Sequence, residues 1–240
     1  MSRGAPDESL EVTAPFWRIN RSTEKHMTTK ANYTHLEFIL DSSGSMEHLA
    51  RETISGVNSL IAKHREAEGE ATIGISNFNY SRWRTRFLTR VKDIMPITPL
   101  DYRPAGGTAL LDAMATAIDE LGKDLLARPE RDRPSKVIVV VITDGQENSS
   151  FLTAYEDVKT RVEHQTRRYG WEFMFLGANM DAFAEGGKLG ISPQTTAFYN
   201  ATPVGTRDAY DTISSSLMRG RAGGSTHLTN DEREKLADSK

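Results

Sequence analysis

The 240-residue chain contains no cysteine. This excludes disulfides, thiolate zinc sites and thiol nucleophiles, and it suits a reducing compartment. Also missing is any apolar run near the roughly 20 residues that a membrane-spanning helix needs. The opening stretch, "MSRGAPDESLEVTAPFWRIN", has acids where a secretory leader has an apolar segment, so the expected location is the cytoplasm, with no membrane partner. In that compartment the sequons at Asn20, Asn32, Asn148 and Asn200 are chance matches. Neither sign of charge dominates: 30 Lys and Arg face 33 Asp and Glu, for a formal net charge of −3. Such a balance gives no overall attraction to nucleic acid or anionic lipid. No internal repeat is present.

What remains is an ordinary globular composition. Hydrophobic residues make up 38% of the chain and the mean hydropathy is −0.51, so a chain of this length can bury a substantial core without staples. Residues 1–33 mix charge with Pro, Ser and Thr and read as a flexible extension, with Met27 as an alternative translation start. Residues 220–240 are small and polar and read as a disordered tail. Between them, 34–219 reads as one domain.

Within that domain strand and helix patterns alternate. "HLEFILD" is a strand, and Ala50, Ile54, Val57 and Ile61 then follow at helical spacing. "ATIGISNF" and "RTRFLTR" are strands joined by "NYSRW", short enough for an antiparallel hairpin. Leu110, Met114, Ala117, Leu121 and Leu125 mark a second helix. "KVIVVVITDG" is β-branched without alternation, the signature of a central strand buried on both faces. A helix over about 153–169, the strand "WEFMFLG", a short helix near 181–188, a weak strand "TTAFYN" and a helix over about 205–218 complete the count. The expected fold is α/β, doubly wound, with a mostly parallel sheet, one antiparallel edge hairpin and helices on both faces.

In such sheets, sites form beyond the carboxyl ends of the strands where strand order reverses. Strand one ends in Asp41, followed by Ser43 and Ser45. The "VIVVVIT" strand is followed by Asp144. Between them in sequence, Gly106-Gly107-Thr108 opens a helix at the same edge. Taken singly, these are helix caps and turns: Ser43 or Ser45 before Met46, Thr108 behind a glycine pair, Asp144-Gly145 after a strand. Taken together they supply two carboxylates and three hydroxyls, with no His or Cys. An all-oxygen set selects a hard cation, Mg²⁺ or Mn²⁺, before Zn²⁺. Gln146, Glu147 and Asn148 follow the second acid and would line the rim.

Asp41-Ser42-Ser43-Gly44-Ser45 resembles the Asp-x-Ser-x-Ser motif of von Willebrand factor type A domains. Thr108 in "GGTALLDA" and Asp144 in "ITDGQEN" resemble that family's two further metal-site segments, and the similarity runs from about His35 to Met218. The resemblance implies a metal-ion-dependent adhesion site. In it, the serine pair and the threonine ligate Mg²⁺ and the aspartates act directly or through water. A partner protein's Asp or Glu would fill the open position. It also implies, by analogy with intracellular bacterial relatives, an adaptor for a MoxR-type AAA+ ATPase; separately, the small architecture with no secretory leader leads to the expectation of a bacterial or phage source.

Two other functions compete. A metal-dependent phosphohydrolase would use Asp41 as nucleophile, but the second acid expected two residues on is replaced by Ser43. An RNA-binding protein would use Arg82, Arg84, Arg86 and Arg90 beside Trp83, or these would be cations guarding an edge strand. "GGKLG" at 186–190 lacks the residues of a phosphate loop and reads as a glycine turn after a helix. The sequence therefore points to a binding module and not to an enzyme.

Overall fold

The computed structural model describes residues 29–178 and 180–239. Most of the expected N-terminal extension, with Met27, lies outside the described residues. Six strands form one sheet: β1 (Lys30–Asp41), β2 (Glu70–Phe78), β3 (Arg82–Arg90), β4 (Pro134–Thr143), β5 (Glu172–Gly177) and β6 (Thr196–Phe198). Their order is β3-β2-β1-β4-β5-β6, with only the β2–β3 pair antiparallel. The helices are α1 (Ala50–Glu66), α2 (Leu110–Leu126), α3 (Tyr155–Tyr169), α4 (Ala182–Lys188), α5 (Pro203–Arg221) and α6 (Asn230–Asp238). The expected doubly wound sheet with one edge hairpin is the observed one.

The two-sided burial of the central strands divides residue by residue. Ile138, Val140 and Ile142 join Leu36, Phe38 and Leu40 in a core that contains Val57 and Leu60 of α1 and Ile213 and Leu217 of α5. Val137, Val139 and Val141 face the other way, into a core with Met114 and Ile118 of α2 and Val158 and Val162 of α3. An alternating strand that buries both its faces leaves no polar position, which is why its sequence runs apolar without a break.

On the α2 side of β1 and β2 the interior is polar instead. Buried Glu37 accepts from Ser76 Oγ (3.1 Å) and lies 3.1 Å from His35 Nε2, while His35 Nδ1 lies 2.9 Å from Thr72 Oγ1. Arg82 donates to Ser76 Oγ (2.7 Å) and pairs with Glu120 of α2. A bare backbone at Gly74 makes room for the carboxylate, since a Cβ there would lie 1.7 Å from Glu37 Oε2.

Three expectations change. The first strand does not begin at His35 but runs from Lys30, so residues 30–33 belong to the sheet. The hairpin arginines are neither free nor simply solvated. Arg84 donates to Glu120 (2.9 Å) and Asp124 (3.3 Å), and Arg86 to Asp101 (3.1 Å). Only Arg90 has a mainly exposed side chain, and it pairs with Asp93. The arginines clamp the hairpin to its neighbours, which removes the observation that favoured RNA.

Finally, 220–240 is not a disordered tail through Ser239. Thr229 and Glu232 form reciprocal cap hydrogen bonds (3.2 and 2.8 Å). Glu232 takes a two-pronged pair from Arg219 (2.7 and 2.9 Å), and Leu228 and Leu236 are buried. Arg233 donates to the carbonyls of Pro193 and Gln194 (both 2.8 Å). Together these contacts lay α6 beside β6, the exposed edge of the sheet, which would otherwise present unpaired backbone.

Two outcomes follow for stability. Gly74→Ala should destabilise the fold by about 1–3 kcal/mol, the usual cost of overpacking, in chemical denaturation. His64 is fully buried and receives a hydrogen bond from Arg221 at Nδ1 (3.1 Å). Burial first, and then the Arg221 charge, lower its pKa from 6.5 to about 4. The unfolded chain therefore binds the extra proton between those values, so this histidine makes stability fall as pH drops from 6.5 towards 4. Asp41 contributes a slope of opposite sign, so the difference between pH series of melting temperatures for the wild type and His64→Gln should isolate this histidine's slope.

Candidate metal centre

β1 lies between β2, which follows it, and β4, which comes later, so chain direction across the sheet reverses beside it. Parallel pairing aligns Leu40 with Ile142, so Asp41 and Thr143 end neighbouring strands side by side. Thr143 Oγ1 donates to Asp41 Oδ2 (2.6 Å), and Ser43 N–H donates to Asp41 Oδ1 (2.7 Å). Tyr102, buried, donates its hydroxyl to the Asp41 carbonyl (2.5 Å). Burial raises the Asp41 pKa from 3.8 to about 6. The hydrogen bonds from Thr143 and Ser43 oppose that rise and the Asp144 carboxylate adds to it.

The loop after β1 is tied down at each step. Ser42 donates through both its N–H (2.7 Å) and its hydroxyl (2.9 Å) to the Phe78 carbonyl. Ala105 N–H donates to the Ser42 carbonyl (2.8 Å) and Gly44 N–H to the Gly106 carbonyl (2.9 Å), joining this loop to the one before α2. Gly106 holds φ at +75°, where a side chain would be strained. Residues 44–49 form a 3-10 turn before α1, and neither Ser43 nor Ser45 caps it with its side chain. The hydroxyls point elsewhere: Ser43 Oγ lies 3.0 Å from Ser45 Oγ, and Ser45 Oγ donates to Asp144 Oδ1 (2.6 Å). Thr108 Oγ1 and Ser45 Oγ both stand close to Gly145, at 3.3 and 3.7 Å from where a Cβ on it would be.

The structure thus joins Ser43, Ser45 and Asp144 by hydrogen bonds, ties Asp41 to the Ser43 N–H and to Thr143 beside Asp144, and sets Thr108 Oγ1 next to Gly145. Asp41, Ser43, Thr108 and Asp144 are buried, while Ser45 is exposed and opens the group to solvent. Among the described residues, no group of three or more His, Cys, Asp and Glu is placed to hold a metal. Any cation here would have to be held largely by hydroxyls. No basic group appears among the influences on Asp41, so the neighbours that steady it are neutral donors. Two buried acids with convergent hydroxyls fit a hard divalent cation and would suit a thiophilic one poorly.

The expected rim is only partly a rim. Gln146 and Asn148 are exposed, but Glu147 turns inward. Its carboxylate accepts from the N–H groups of Leu111 (2.9 Å), Ser149 (2.8 Å) and Ser150 (2.7 Å), at the start of α2 where negative charge is favoured. Asn148 Oδ1 accepts from Thr108 N–H (2.9 Å). Asp112, in the first turn of α2, accepts from Phe151 and Leu152 N–H (3.1 and 3.2 Å). Thr143 and Tyr102 are the residues that the motif reading passes over. Thr143 is the one polar residue ending an apolar run, a visible signal. Tyr102 sits in a proline-bearing loop whose path only the fold reveals.

His48 lies against the carbonyl of Ser45 (2.8 Å) and not its hydroxyl, and both Asp41 oxygens accept hydrogen bonds.

The von Willebrand factor type A domain family matches residues 35–211, and the chain belongs to that family. Solved structures with the same fold include a D319A mutant of the PilB minor pilin from Streptococcus sanguinis. It is 12% identical with a TM-score of 0.56, over 78% of this chain and 62% of that one. A von Willebrand factor type A protein from Catenulispora acidiphila is 14% identical with a TM-score of 0.53, over 78% and 43%. Proximal thread matrix protein 1 from the mussel byssus, with a zinc-occupied MIDAS motif, is 14% identical with a TM-score of 0.51, over 79% and 44%. The match spans less than two thirds of each of these chains. No curated protein matches the sequence. Among the described residues, no helix is long and apolar enough to cross a membrane.

Thr143→Val keeps the side-chain shape but leaves Asp41 Oδ2 without its donor. It should cost about 1–3 kcal/mol of stability, measured by chemical denaturation of the metal-free protein.

Proposed function

We propose that this domain holds a divalent cation, Mg²⁺ or Mn²⁺, on Ser43, Ser45 and Thr108, backed by Asp41 and Asp144. We further propose that it uses this site to bind a partner protein through an Asp or Glu of the partner. The observation that carries the reading is the hydroxyl chain from Ser43 through Ser45 to the Asp144 carboxylate, with Thr108 Oγ1 beside Gly145 and a second buried carboxylate, Asp41, at the end of the neighbouring strand. Neutral ligands temper the positive charge of such a cation little, so it remains attractive to an external carboxylate. The zinc-occupied site of the mussel protein accords with a divalent cation at the corresponding end of this fold.

The activity proposed is binding and not catalysis. Both Asp41 oxygens are engaged and the side chain is buried, which ill suits a nucleophile, and among the described residues no histidine is hydrogen-bonded to the Ser43 or Ser45 hydroxyl. The finer proposal, resting on the family resemblance, is an adaptor in the cytoplasm for an AAA+ ATPase of the MoxR type.

Mn²⁺ binding followed by electron paramagnetic resonance tests the site directly. Thr108→Ala should weaken Mn²⁺ by about tenfold or more while leaving the metal-free melting temperature nearly unchanged, and Mg²⁺ should compete. Undiminished Mn²⁺ binding by Thr108→Ala would remove the threonine, and the reading built on it.

A further inference from the structure

The segment after Asp144 presents an oddity. Phe151 and Leu152 are 82% and 77% exposed, the highest values for large apolar side chains among the described residues. Exposed apolar side chains on a loose loop would need no explanation, but this loop is anchored through its backbone. Asn148 and Ser149 donate their N–H groups to the Thr108 carbonyl (3.1 and 3.2 Å), Ser149 and Ser150 to Glu147, and Phe151 and Leu152 to Asp112. Ser150 Oγ in turn accepts from Asp112 N–H (3.1 Å). From 148 to 152, each backbone N–H has a fixed acceptor. The phenyl and isobutyl groups are therefore held out in water by a braced loop whose backbone is anchored on Asp112 and on the Thr108 carbonyl.

A third exposed apolar side chain lies against the loop before α2. Tyr80, in the β2–β3 turn and 67% exposed, lays its ring across Gly106 and Gly107. Cβ atoms on those glycines would come within 2.4 and 2.7 Å of it, and Ser149 Oγ borders Gly107 as well. Tyr80 thus covers Gly106-Gly107 just before Thr108, and the loop carrying Phe151 and Leu152 is hydrogen-bonded to the Thr108 carbonyl through Asn148 and Ser149.

We infer that the partner binds through a polypeptide segment whose acidic residue is flanked by large apolar side chains, which pack on Tyr80, Phe151 and Leu152. This rests on the metal reading above. The cation selects a carboxylate by charge, while the apolar group at its side selects what stands next to that carboxylate. A small free acid would leave these side chains in water. An anionic membrane surface would meet the acids that brace the loop, Asp112 and Glu147. A few side chains, aromatic ones prominent among them, carry most of the binding energy of an interface.

A random peptide library displayed on phage and panned on the wild-type protein with Mn²⁺ tests this. Enriched peptides should carry Asp or Glu with an aromatic or aliphatic neighbour within two positions. Binding of synthetic versions should be lost in EDTA and should weaken about tenfold or more for the double variant Phe151→Ser, Leu152→Ser, about 1.4 kcal/mol or more. That variant should keep wild-type Mn²⁺ affinity and melting temperature. Acidic peptides without apolar neighbours, or equal affinity for the variant, would overturn the apolar assignment while leaving the metal reading intact. Peptides that bind equally well in EDTA would overturn the metal reading instead. Self-association of the wild type in sedimentation velocity, abolished in the variant, would assign the patch to a second copy of this chain and overturn the inference.

Discussion

Two carboxylates buried side by side are the constraint around which this end of the domain is arranged. Parallel pairing of β1 with β4 places Asp41 next to Thr143, with Asp144 one residue on. Buried acids that close favour losing a charge, and burial with mutual repulsion does push the Asp41 pKa up. The fold answers with neutral donors: a threonine hydroxyl and a backbone N–H on Asp41, and a chain from Ser43 to Ser45 to Asp144. None of these cancels the negative charge, which is why the arrangement suits a cation so well.

Around this centre most of the polar side chains serve the architecture. Glu147 and Asp112 face the start of α2 and hold the following loop by its N–H groups, so both acids act as anchors. The hairpin arginines do the same for β3, tying an edge strand to α2 through Glu120 and Asp124. At the other edge, α6 covers β6 with its own arginine contacts. A sheet with both edges managed in this way leaves its carboxyl end, with the hydroxyls and the apolar side chains beside them, as the surface open to a partner.

Much of this was legible in the residues. An unbroken β-branched run marks β4 because both its faces are buried. The 3.6-residue spacing marks α2, whose expected apolar positions from Leu110 to Leu125 are all buried. α6 was legible too, since Thr229 and Glu232 stand at cap-box spacing, but the small polar residues around them obscured it. Its stability comes less from propensity than from Leu236 and Arg219, whose partners are distant in sequence. The hairpin arginines looked like a basic patch because sequence shows charges without their partners, and the carboxylates that pair with them lie on another element.

The sequence by itself determined which oxygen-bearing side chains were available and that they stand at strand ends and helix starts. Local chemistry and the periods of burial are written along the chain. Only the tertiary structure decided where those side chains turn: Ser43 and Ser45 toward Asp144 and away from capping, Glu147 inward, Phe151 and Leu152 outward. Such choices follow from contacts between loops that are far apart along the chain, and they exist only once the sheet has brought its carboxyl ends together.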